Sequence, residues 1–168
     1  MSSNKFIGIL NGIQTLFTAI AASAGVGDAS KIIMTDATGK IDSTLMPSGI
    51  GAATKSVLAS EALVAGDFVN IYNNAGTLNV RKADNSNGRA ANGFVLSAFS
   101  SAANATVYLQ GENTGRTGLT PGTIYFLATA GGVTTTAPTA SGTIIQQLGY
   151  STGTTSINFE YNDAISIA

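Results

Sequence analysis

Short strand-like segments separated by turn clusters fill residues 56–160, and this pattern constrains the fold more than any other feature of the chain. Within 68–72, Val69 and Ile71 share one face, and within 156–160, Ile157 and Phe159 do. The predicted strands are 56–59, 68–72, 77–83, 93–99, 105–110, 123–128, 132–136, 143–150 and 156–160. Because no helical period interrupts them, they predict a mainly β protein whose body, residues 55–168, is a single compact β-barrel or β-sandwich. Asn74-Ala75-Gly76 and Gly131-Gly132 supply the positive-φ positions of two hairpins.

Residues Phe6 to Ala24 carry no charge, which is unusual for a segment of this length. Asn11, Gln14 and Thr15 interrupt the apolar residues, which argues against a transmembrane helix and weakens the alternative of a secretory signal. The apolar residues recur at intervals of three and four, which predicts an amphipathic helix over residues 1–24. Its stripe predicts an interface with further copies of the chain or with another partner surface, formed by Phe6, Ile9, Leu10, Ile13, Leu16, Phe17 and Ile20. Docking of this helix on its own domain is the alternative.

Residues 25–54 are rich in turn-forming residues and predict an extended arm with one small hairpin. Gly25 and Gly27 open the segment, and Pro47 and Gly49 prevent a helix from continuing near its end. Asp36 to Gly39 predicts a type I turn, with Asp at the first position and Gly at the last. The arm therefore joins the N-terminal segment to the β body.

Composition excludes most catalytic chemistry. The 168 residues contain no His and no Cys, so Ser-His-Asp and Cys-His nucleophiles, disulfides, and thiolate or imidazole metal sites are ruled out. The nine carboxylates form no close sequence pair of the kind a glycosidase dyad would suggest. Eight basic residues and a net charge of −1 provide no basic patch for nucleic acid. We therefore expect a non-enzymatic protein with no cofactor, no metal, no small-molecule substrate, no nucleic acid and no membrane partner.

Charge is especially sparse near the C-terminus. After Arg116 the remaining 52 residues contain only Glu160 and Asp163 as charged side chains. Depletion of charge is typical of the core of an interface, so part of this surface is expected to contact another protein. The alternative is that Thr and Ser simply cover a solvated sheet.

Four segments of the chain resemble decoration, or cement, proteins of tailed bacteriophages, which coat and reinforce capsids. These segments are 31–52 (KIIMTDATGKIDSTLMPSGIGA), 63–84, 89–115 and 118–160, and they cover most of the chain after residue 30. The resemblance implies a homotrimer on the outer surface of the capsid, whose partners are the major capsid protein and further copies of itself. It also implies an arm that reaches neighbouring subunits. The expected capsid-contacting residues of that arm are Lys31, Ile33, Asp36, Lys40, Leu45 and Pro47.

Similar sequence segments occur in phage fibres, so a role as a tail fibre, spike or receptor-binding component is the alternative function. Exposed aromatic side chains in a shallow groove, such as Tyr72, Tyr125 or Tyr150, would favour it. A cell-wall hydrolase would need a carboxylate cluster in a cleft, which the sequence gives no sign of.

Overall fold

The computed structural model describes residues 5–46 and 51–168. The chain divides into two compact units, Met1–Gly51 and Ala52–Ala168, and each is described by itself. In the described residues there are fourteen strands and three short 3₁₀ turns but no α-helix. The prediction of a mainly β protein is confirmed.

The first unit begins with a β-hairpin, so the predicted helix over residues 1–24 is wrong. Strands β1 (Lys5–Leu10) and β2 (Ile13–Thr18) pair antiparallel, with Phe6 opposite Phe17 and Leu10 opposite Ile13. Asn11 and Gly12 connect them with φ values of 52° and 80°. Positive φ at both central residues is the signature of the two-residue turn that Asn-Gly favours.

Local preferences explain why this segment forms a hairpin. The predicted helix would contain Gly8 and Gly12 in its interior, where each would reduce helix stability by about 1 kcal/mol relative to Ala. In the hairpin, Gly12 occupies a conformation that suits glycine, and Gly8 lets the Phe17 ring lie against the backbone. A Cβ at Gly8 would lie 2.9 Å from Cε2 of Phe17. The Phe6 and Phe17 rings then stack with their centroids 5.6 Å apart.

The rest of the first unit consists of turns and irregular segments, and Asp42 caps the turn at Ser43–Leu45. Ile20 forms a parallel bridge with Ile33, and 3₁₀ turns follow at Val26–Asp28 and Ser43–Leu45. The predicted type I turn at Asp36 is confirmed by a hydrogen bond of 3.0 Å from the Gly39 amide to the Asp36 carbonyl. Pro47 lies outside the described residues.

The second unit begins with a closed five-stranded barrel. Its strands are β3 (Thr54–Ala59), β4 (Phe68–Asn74), β5 (Thr77–Lys82), β6 (Gly93–Phe94) and β7 (Asn104–Tyr108). They are ordered β3-β5-β4-β6-β7, and β7 closes on β3; β3 and β5 run parallel, while the other pairs are antiparallel. Small and branched side chains fill the narrow interior: Val57, Ala59, Leu63, Val69, Val80, Val95, Ala105 and Val107.

The C-terminal strands form an open antiparallel sheet. These strands are β8 (Gly111–Asn113), β9 (Ile124–Leu127), β10 (Val133–Thr134), β12 (Gln147–Ser151) and β13 (Ile157–Phe159), in the order β10-β9-β12-β13-β8. Two further strands, β11 (Ile144–Ile145) and β14 (Ile165–Ser166), pair with each other. The unit therefore combines a barrel with a sheet, rather than being a plain barrel or sandwich.

An aromatic core joins the barrel to the sheet. Phe68 and Phe94 of the barrel contact Phe159 of the sheet, with ring centroids 5.4 Å and 6.0 Å away. All three rings are buried, together with Leu127, Leu148 and Ile157. Since each large buried side chain contributes roughly 1.5–3 kcal/mol, this layer contributes much of the stability of the second unit.

Buried polar groups also join the two layers. The Gln146 side chain accepts from the Ala91 amide at 2.7 Å and donates to the Ala91 carbonyl at 2.9 Å. It also donates to the Asn162 carbonyl at 2.8 Å. Arg116 lies over the Phe68 ring and donates to the Gly131 carbonyl. Burial lowers the pKa of Arg116, and the charge of Asp67 partly opposes that shift.

All nine predicted strand segments of this body contain a strand, although several shrink. The segment 93–99 retains a strand only at Gly93–Phe94, and 143–150 divides into β11 and β12. The predicted turn after Asn74 is confirmed, with φ values of 50° at Ala75 and 91° at Gly76. The turn predicted at Gly131-Gly132 instead places positive φ at Ala130 and Gly131.

Candidate functional site

The β1–β2 hairpin presents an apolar surface to solvent. Alternation along the paired strands places Ile7, Ile9 and Leu16 on one face, and Phe6, Leu10, Ile13 and Phe17 on the other. Five aliphatic side chains of the hairpin are between 52% and 76% exposed: Ile7, Ile9, Leu10, Ile13 and Leu16. Soluble proteins rarely expose so many neighbouring apolar side chains unless a partner covers them.

The hairpin also has an unpaired backbone edge. In the part of the chain that the structure describes, β1 pairs with β2 and with no other strand. Strand edges with free N–H and C=O groups accept further strands from other chains. This hairpin therefore offers both apolar side chains and backbone hydrogen-bonding groups to a partner.

The hairpin borders a small cleft of about 250 Å³. Phe6, Gly8 and Phe17 line it from the hairpin, while Ser30, Lys31 and Ile32 line it from the following segment. The ammonium of Lys31 is already held by Asp28 at 2.6 Å. The cleft therefore suits one apolar side chain better than an anion.

The predicted arm residues are divided between internal bonds and exposed surface. Asp36 accepts hydrogen bonds from the backbone of Lys40 at 3.0 Å and of Thr38 at 2.8 Å, and these bonds lower the pKa of Asp36. Ile33 is half exposed in its bridge to Ile20, and Leu45 is half buried in a 3₁₀ turn. Asp36 and Lys31 thus serve the local structure of the unit.

The structure brings only part of the predicted interface together. Leu10 and Ile13 are directly opposite, as are Phe6 and Phe17. Ile20 lies beyond the hairpin. The helical stripe also missed Ile7, which the alternation of a strand places beside Ile9 and Leu16. The sequence feature that indicates a hairpin here is the Asn11-Gly12 pair between two apolar segments.

The three tyrosines named for a fibre-type function lie in different environments. Tyr125 is buried, and its hydroxyl accepts from the Thr120 amide at 3.0 Å. Tyr72 is half buried, with the Arg81 guanidinium 4.0 Å from the centre of its ring. Tyr150 is exposed on β12. Of the three, only Tyr150 has the exposure that a fibre-type function would need.

Side chains that could carry chemistry are dispersed across the described residues. Across 5–46 and 51–168, no group of three Asp or Glu side chains is placed to hold a metal ion. Within the same ranges, no helix has the length and apolarity needed to span a bilayer. Glu112 accepts from the Thr152 hydroxyl at 2.5 Å, and Thr152 lies 2.7 Å from the Ser156 hydroxyl. Bonds from Thr152 and Ser156 lower the pKa of Glu112, so it is ionised at neutral pH.

Comparisons with known proteins found similarity at the level of structure but not of sequence. No protein-family model matches the sequence, and no curated protein matches it. Among solved structures, the N-terminal base of the head fibre protein gp8.5 of bacteriophage phi29 is similar over 66% of this chain and 95% of that chain, at 10% sequence identity and a TM-score of 0.47.

Proposed function

We propose that this protein is a non-enzymatic virion component that decorates the outside of a phage head as a homotrimer and reinforces contacts between major capsid subunits. The resemblance of segments 31–52, 63–84, 89–115 and 118–160 to cement proteins supports this proposal. The observation that carries it is the exposed β1–β2 hairpin, whose solvent-facing side chains are mostly aliphatic, because this surface needs a protein partner.

Energetics support a role for the hairpin in attachment. A two-stranded hairpin is at best marginally stable in water without further packing. The exposed fractions of its five exposed aliphatic side chains add up to about three fully exposed side chains. Burying them against a partner would therefore contribute about 5–10 kcal/mol to the free energy of association. This free energy stabilises both the ordered hairpin and its complex with the partner.

Repetition strengthens this attachment. A closed homotrimer presents three hairpins at once, and symmetric placement raises the effective concentration of the second and third contacts. Modest contacts of one hairpin can then hold the trimer on a capsid for long times. Exposed Ile32, Ile33 and Ile41 extend the apolar surface of the first unit beyond the hairpin.

The test replaces two aliphatic side chains on the exposed face of the hairpin. The double variant Ile9→Asp/Leu16→Asp puts two charges where an interface would exclude water, so attachment should weaken by at least about 100-fold. Binding is measured by pelleting phage heads that lack the protein, and the oligomer by sedimentation velocity. The matched control is Ile165→Asp, because Ile165 is similarly exposed but belongs to the second unit.

The two measurements separate the roles of the hairpin. Loss of pelleting with the trimer intact assigns the hairpin to the capsid contact, while loss of both assigns it to the trimer contact. Full attachment by the double variant would contradict the proposal that the hairpin is an interface. Circular dichroism of both variants checks that the β body remains folded.

A further inference from the structure

A second exposed surface lies on the outer face of the C-terminal sheet. Antiparallel register puts Ile124, Tyr150, Asn158 and Glu112 side by side across four strands of this sheet. Residues directly opposite one another share a face, with Cβ atoms about 5 Å apart. The Tyr150 ring therefore lies beside Asn158, on the face that points away from the buried Phe159.

A groove of about 290 Å³ opens next to this row. It is lined by Gln110, Gly111, Asn158, Phe159 and Glu160. A Cβ at Gly111 would meet nothing within 4 Å, and the φ of Gly111 is +107°, so this position is both open and glycine-specific. Gln110, Glu112, Glu160 and Tyr150 are all exposed. The groove and the row beside it together present amides, carboxylates and the aromatic ring of Tyr150.

We propose that this groove, together with the Tyr150 ring next to Asn158, binds a neutral polysaccharide. Sugar rings present polarised C–H bonds that pack on the face of an aromatic ring, a role open to Tyr150. Neighbouring hydroxyls donate to carboxylates and both donate to and accept from planar amides, roles open to Glu160, Asn158 and Gln110. A pocket with an apolar platform and a few convergent polar groups is typical of a ligand site.

The charges of this face select the class of ligand. Bonds from Thr152 and Ser156 hold Glu112 ionised, as described above, and Glu160 lies two residues along the chain from Asn158. The four strands that carry the row, β8, β9, β12 and β13, contain no Lys or Arg. Acidic sugars and nucleic acids would therefore be repelled, while uncharged sugars would not.

The test titrates the full-length protein with soluble saccharides. The probes are maltohexaose, cellohexaose and chitohexaose, with a hyaluronan hexasaccharide as the acidic comparison. Binding is followed by NMR shifts of the Gln110 and Asn158 side-chain amides. We expect at least one neutral probe to bind with Kd near 1 mM or tighter, and hyaluronan to bind at least about tenfold more weakly.

Variants then locate the site. Tyr150→Ala and Asn158→Ala should each weaken binding at least about tenfold, while Tyr150→Phe, which keeps the ring, should stay within about threefold. The matched control is Tyr161→Ala, because Tyr161 is as exposed as Tyr150 but belongs neither to the groove nor to the row of residues beside it. Thermal unfolding verifies that each variant is folded.

Three results would overturn the proposal: no binding of any neutral probe, equal binding of hyaluronan, or binding that survives in folded Tyr150→Ala. The readout uses isolated protein and no phage heads. Its failure therefore leaves the proposed attachment to a capsid untouched, and failure of attachment leaves this site untouched.

Discussion

Replacing Gln146 by Leu should destabilise the second unit strongly. Gln146 is 1% exposed, and its amide satisfies both the N–H and the C=O of buried Ala91. Leucine has a similar size but no polar atoms, so both backbone groups would lose their partner. Each orphaned buried group costs about 1–3 kcal/mol, which predicts a loss of about 2–6 kcal/mol in the free energy of unfolding. The Asn162 carbonyl, on an exposed residue, can bond to water instead.

Urea unfolding followed by far-UV circular dichroism measures this loss, compared at pH 7 with the unmodified protein. The matched control is Gln147→Leu, because the adjacent Gln147 is exposed and its replacement should change stability by less than about 0.5 kcal/mol. A loss below about 1 kcal/mol for Gln146→Leu would refute the reasoning that this side chain ties the loop at Ala91 to the sheet.

Two further changes test the backbone and the charges of the same unit. Gly149→Ala should cost at least about 3 kcal/mol in urea unfolding, because φ is +139° there and a Cβ would lie 1.9 Å from the Asn158 carbonyl oxygen; a loss under 1 kcal/mol would contradict this register. Burial by itself would raise the pKa of Asp84, but bonds from Ser86 and the Ala130 amide outweigh it and leave the pKa below its ordinary 3.8. Asp84 therefore stabilises the protein above pH 3.8 and loses that contribution as the pH falls through its lowered pKa, so Asp84→Asn should lose stability less steeply in acid unfolding curves. An unchanged pH dependence would show that Asp84 contributes nothing.

The body of the fold was predictable because its strands carry local signals. Alternation at Val69 and Ile71 marks β4, and Ala75-Gly76 supplies the conformation that its hairpin requires. The pairing of distant strands, such as the parallel contact of β3 with β5, leaves no local trace. The role of Gln146 was equally hidden, because its partner Ala91 is 55 residues away.

The N-terminal segment shows where pattern reasoning fails. Apolar residues are so frequent in this segment that they fit two periods. The spacing of three and four residues fits a helix, and the spacing of two residues fits a strand. Phe6 and Ile13 fit one helical row, yet Phe6 pairs with Phe17 across the hairpin. Turn chemistry at Asn11-Gly12 decides between the two periods, because a helix interior disfavours glycine and a tight hairpin favours it.

The sequence alone indicates the outer face of the C-terminal sheet only in outline. The scarcity of charge after Arg116 indicated an unusual surface, and Tyr150 was among the named aromatics. Its neighbours Gln110 and Asn158 could not be assigned to one groove, because their proximity depends on the pairing of β8 with β13. Register across the sheet therefore creates a candidate site that spacing along the chain does not show.

Attachment to a capsid is the central claim, and stoichiometric binding tests it most directly. The purified full-length protein is mixed with phage heads that lack it, the heads are pelleted, and the bound copies are counted, with the mass of the free protein determined by mass photometry. We predict a trimer that saturates the heads at a copy number that is a multiple of three and that raises their resistance to heat. A protein that leaves the heads bare at saturating concentration would contradict the account.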